Sequence, residues 1–99
     1  MNNGLHAETE SIYQEGNNTI NNSENFSNLI MNLNDNVNEL MGIWNGPSAN
    51  IFKSECDRQI VELREFNNIL NTMGQNIVKG SQMLDDAENQ NIADAKKLF

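Results

Sequence analysis

The chain has one cysteine, one proline and one histidine, and no lysine or arginine ahead of Lys53. Each scarcity removes a class of function. With Cys56 alone, no internal disulfide can form, and its place in the apolar repeat reads as a small buried hydrophobe. A catalytic thiol needs a base. The only candidate, His6, falls near the N-terminus, far from Cys56 along the expected fold. One cysteine and one histidine do not build a zinc site. There is no Gly-rich phosphate loop, and neighbouring carboxylates such as Asp85 and Asp86 diverge on a helix. The expectation is a protein without catalytic residues, metal or cofactor.

The missing cations matter as much. Net charge is −8, and residues 1–46 carry six acidic side chains and no basic one. Nucleic acid and anionic lipid surfaces are therefore poor partners. A Sec-type signal begins with a basic segment, which this sequence lacks. No apolar run approaches the ~18 residues of a membrane span, so no span is expected.

What is present is a repeat. Phe26, Ile30, Leu33, Val37, Leu40 and Trp44 recur at steps of four and three. Ala49, Phe52, Cys56, Leu63, Phe66, Leu70, Met73, Ile77, Leu84 and Ala87 continue the alternation, with Gln59 and Gly80 in the gaps. This is a heptad seam, the mark of a helix buried along one stripe. Between the two runs lies Trp44-Asn45-Gly46-Pro47. Glycine accepts the left-handed backbone that ends a helix, and proline suits the first turn of the next. The fold expected is all-α, an antiparallel helix–turn–helix hairpin. Its single domain spans residues 1–99, with helix 1 over about 5–44, a turn at 45–47 and helix 2 over about 48–88.

Folding at the turn sets Leu40 near Phe52, Leu33 near Gln59 or Ile60, Phe26 near Phe66 and Ile12 near Gly80, with Leu5 reaching Ala87 or Glu88. Residues 89–99 then have no counterpart and form a flexible or partner-dependent tail. Ile20, Ile43, Ile51, Ile60, Ile69, Val78 and Met83 lie beside the seam and widen the apolar stripe. A hairpin so thin has little interior, so pairing into a four-helix-bundle dimer is the default expectation. The residues assigned to hairpin core and dimer interface are Phe26, Ile30, Leu33, Val37, Leu40, Phe52, Leu63, Phe66, Leu70 and Ile77. Twenty residues are asparagine, crowding the first helix away from its seam as a solvated face. Asparagine and glycine are weak helix formers. Gly74 and Gly80, with Thr9, Gly16, Thr19 and Ser23 on the seam, should make the half near the turn the firmer one.

A Trp-X-Gly turn midway along about one hundred residues, between two amphipathic helices, resembles the WXG family of small type VII (ESX) secretion substrates. Gly46-Pro47-Ser48-Ala49-Asn50-Ile51-Phe52 also has the small-then-aromatic form that often follows the glycine in that family. The motif covers residues 44–52; size, acidity and hairpin architecture cover the whole chain. The resemblance implies a homodimer, or a pair with a related hairpin protein, exported by a non-Sec route from the cytoplasm of Gram-positive bacteria and their relatives. It implies an FtsK/SpoIIIE-type secretion ATPase as partner and, for some members, service as adaptor for a larger secreted toxin in virulence or interbacterial competition. Trp44, Asn45 and Gly46 would be the turn half of a bipartite export signal. The other half, Tyr-X-X-X-Asp/Glu near a C-terminus, is missing: the only tyrosine is Tyr13, and Leu84-Asp85-Asp86-Ala87-Glu88 keeps the spacing with leucine in its place. The competing reading is a coiled-coil structural subunit that stays in the cell, or a chaperone-like partner of a larger toxin.

Overall fold

The structure, a computed structural model, describes residues 2–98, with side chains described from His6 onward. It is a helical hairpin. Helix α1 spans Asn2–Met41 and helix α2 spans Pro47–Leu98, the two packing against each other with no strand among the described residues. The chain divides into a turn unit, Asn21–Asn71, and a terminal unit, in which α1 up to Ile20 meets α2 from Thr72 onward.

In the turn unit, the end of α1 tightens before it breaks. The Gly42 N–H donates to the Glu39 carbonyl and the Ile43 N–H to that of Leu40, each at 3.0 Å. These i→i+3 bonds satisfy carbonyls that a helix end otherwise leaves bare. The Trp44 N–H also reaches the Leu40 carbonyl at 3.0 Å. Gly46 then takes φ +115°, a backbone region costly for any residue with a Cβ. Its carbonyl accepts the Asn50 N–H at 3.1 Å, the first bond of α2, and Pro47 follows as the first helical residue. The break thus occupies residues 42–46, and Trp44 belongs to the turn instead of closing α1.

The core of the turn unit is Ile30, Val37, Ala49 and Ile60. Register is fixed by a buried pair: Ser23 Oγ donates to Asn67 Oδ1 at 2.9 Å and also lies 3.4 Å from the Asn67 carbonyl oxygen. One heptad further toward the turn, Ile30 and Ile60 are 3% and 2% exposed. Ile60 is therefore core, not a flank of the seam.

The terminal unit is closed by small residues. Among its described residues, Thr9, Gly16, Gly74 and Ser81 are the buried positions. A Cβ on Gly16 would sit 2.7 Å from Val78 Cγ2 and 2.9 Å from the Val78 backbone nitrogen. One on Gly74 would sit 3.0 Å from the Ile20 nitrogen and 3.1 Å from the Gly16 carbonyl oxygen. Backbone here meets backbone, which only glycine permits. Helix α2 runs to Leu98, ten residues past the expected boundary near 88. Alanines at 87, 93 and 95, a Gln90–Asp94 hydrogen bond of 3.0 Å and the Lys96-Lys97 pair in the last turn all favour helix there. Leu98 is exposed. The expected apposition of Leu5 and the end of the tail, Phe99, lie outside the described side chains.

Candidate functional site

Heptad phase decides which residues each helix turns inward. On α1 the buried positions are Thr9, Gly16, Ser23, Ile30 and Val37, seven residues apart. On α2 they are Ala49, Ile60, Asn67, Gly74 and Ser81, with Cys56, Leu63, Leu70 and Ile77 half-buried beside them. The seam expected for α2 shares the second set but paired it with Gln59, Phe66, Met73 and Gly80. The interior lies on the other edge. Small residues at 67, 74 and 81 allow close approach to Ser23, Gly16 and Thr9, while the bulk of Phe66 and Met73 is left outside.

The assigned core and interface residues separate accordingly. Ile30 and Val37 are buried; Phe26, Leu40, Leu63, Leu70 and Ile77 are half-buried. Leu33, Phe52 and Phe66 are exposed and are not hairpin core. Sequence reasoning missed Asn67 and Ser81 altogether; it put Gly16 on the seam of α1 but read it, like Gly74, as a weak point. The seven-residue recurrence carried the signal on α1. On α2 it was masked, because Ile-Asn-Gly-Ser at the repeating position does not look apolar.

This inward choice leaves an apolar side on the turn unit. On α1, Phe26, Leu29, Leu33 and Leu40 follow one another at helical spacing along one edge, and on α2 Leu63, Phe66 and Leu70 do the same. The edges adjoin: the rings of Phe26 and Phe66 meet edge-on with centroids 6.2 Å apart. Leu29 and Phe66 are 63% and 58% exposed. At the turn, Trp44 packs against Phe52 with centroids 5.5 Å apart and keeps 38% of its surface open. Trp44, Asn45 and Gly46 thus sit together at the bend, and an aromatic pair braces the bend against α2.

Charge surrounds this side unevenly. On α2, Arg58 bridges Glu55 and Glu62, reaching the latter at 2.7 Å. The hydrogen bonds from Arg58 and Gln59 hold the Glu55 carboxyl below its ordinary range, and the Glu55 contact raises the Arg58 guanidinium above its own. Lys53 pairs with Asp57 one turn away. These are exposed pairs within one helix and contribute little to stability.

The terminal unit carries two concavities on different sides. One is apolar, lined by Ile12, Ile77, Gly80, Met83 and Leu84, and the floor at Gly80 is open. The expected neighbours Ile12 and Gly80 do meet there. The other is polar, lined by His6, Thr9, Glu10, Tyr13, Ser81, Gln82 and Asp85. In it His6 Nδ1 lies 3.3 Å from Asp85 and Nε2 lies 3.7 Å from Glu10. Among the described residues, no group of three His, Cys, Asp or Glu side chains is placed to hold a metal ion, and no helix is long and apolar enough to cross a membrane.

The chain matches no family model, and comparison with curated proteins and with solved structures gives no match.

Proposed function

We propose that the protein is a small helical-hairpin substrate or adaptor of a type VII (ESX-like) secretion system, acting by pairing and co-export without catalysis. The observation that supports it best is the bend. Trp44 stands at an accessible turn between two long helices, packed onto Phe52, with Gly46 making the bend at positive φ. An indole that only plugged the interior would be covered. This one keeps 38% of its surface open to a docking partner.

The apolar side of the turn unit would take the partner helices, from a second copy or a related hairpin, closing a four-helix bundle. Leu33, Phe52 and Phe66, exposed in the single chain, fit the interface half of their assignment. The secretion ATPase would read the turn. The Tyr-X-X-X-Asp/Glu element would come from a partner, since Leu84 and Glu88 keep only its spacing; a larger secreted toxin is the alternative source. Before export the protein would reside in the cytoplasm.

The test is export of the tagged protein from a strain with an active type VII system, beside the same strain lacking the ATPase. Wild type should reach the medium only when the ATPase is present. Trp44→Ala should keep its helical circular dichroism and its pairing while export falls at least tenfold. Retention of wild type in the cytoplasm of the active strain, even with a toxin partner co-expressed, would instead favour the structural-subunit reading.

A further inference from the structure

We propose that the terminal unit opens as a discrete cooperative segment while the turn unit stays closed, giving the hairpin a second, part-unzipped state. Among the described residues, the buried hydrophobic ones are Ile30, Val37, Ala49 and Ile60, all in the turn unit, and the terminal unit buries none. Its fully buried described positions are Thr9, Gly16, Gly74 and Ser81, so the apolar area lost on separating its arms is chiefly that of the half-buried Ile20, Ile77 and Val78. The Ser81 hydroxyl donates within α2, to the Val78 carbonyl at 2.6 Å. The ion pairs of His6 with Asp85 and Glu10 are exposed and weak.

The glycine crossing gives this opening its cooperative character. At Gly16 and Gly74 the two helices approach so closely that a Cβ on either glycine would sit 2.9–3.1 Å from backbone atoms of the opposing helix, with Ile20 and Val78 seated at the contact. Such a contact fits along its length or is lost together, because a small displacement removes the backbone packing on both sides. Opening uncovers Ile20, Ile77 and Val78, and each parted arm, a lone helix without tertiary support, frays and exposes its amides. Segments with few buried apolar contacts are where sub-global opening occurs. The inference stands on packing alone and is independent of the export reading.

Native-state hydrogen exchange of the full chain tests it. Amides around 12–19 and 74–81 should exchange at least tenfold faster than those around 30–37 and 58–65, with one shared dependence on denaturant. Equal protection in both units would overturn the proposal, as would a smooth decline toward each terminus with no common opening. Gly74→Ala should accelerate the first group at least tenfold and leave the second unchanged; parallel acceleration of both would equally contradict it.

Discussion

Gly16, Gly74 and Gly80 look alike in the sequence, each a helix-interior glycine worth ~1 kcal/mol of lost helix propensity. Their surroundings give them opposite signs. Gly80 faces open space, so Gly80→Ala should raise stability by about 0.5–1 kcal/mol. Gly74→Ala would push its Cβ into the Ile20 and Gly16 backbone, and overpacking of that kind costs ~1–3 kcal/mol. Urea unfolding followed by helical circular dichroism reads both. Loss at position 80, or gain at position 74, would mean the crossing point is misplaced. Gly46 could be foreseen, because a glycine between Trp-Asn and Pro announces a bend. The role of Gly16 and Gly74 could not, since close approach depends on what the other helix presents.

At the scale of the helix, the existence of both elements and the bend between them were legible from apolar spacing. The phase of α2 was not. Leu63, Leu70 and Ile77 belong to either of two stripes, and hydrophobicity favours the one with Phe66 and Met73. The chain buries the other, because its polar and small members fit the small residues of α1. That choice has a measurable consequence. Ile60→Ala should cost about 2–5 kcal/mol, as for a fully buried aliphatic side chain. Phe66→Ala should cost clearly less at protein concentrations where the chain is monomeric, because most of that ring is in solvent. The reverse order would restore the seam read from hydrophobicity. The reach of α2 to Leu98 was likewise missed. The seam fades past Ala87, but alanine content, a Gln90–Asp94 bond and C-terminal lysines sustain a helix without one.

For the molecule as a whole, the division of labour follows from where bulk was placed. Large apolar residues make the turn unit's core and its exposed side, small ones close the terminal unit, and the bend carries Trp44. Residues 1–46 carry six acidic side chains and no basic one, which disfavours phosphate-rich surfaces on electrostatic grounds. All of this requires that the chain double back with Ser23 opposite Asn67. The decisive measurement is oxidative cross-linking of Ser23→Cys with Asn67→Cys in a Cys56→Ser background, beside a control pairing Ser23→Cys with Gly74→Cys. A disulfide forms only when Cα atoms lie within ~7 Å. The expected result is rapid closure of the 23–67 pair within one chain, at monomer mass, and none for the 23–74 pair. Cross-links found only between chains, or formed by the 23–74 pair in preference, would contradict the hairpin and its register.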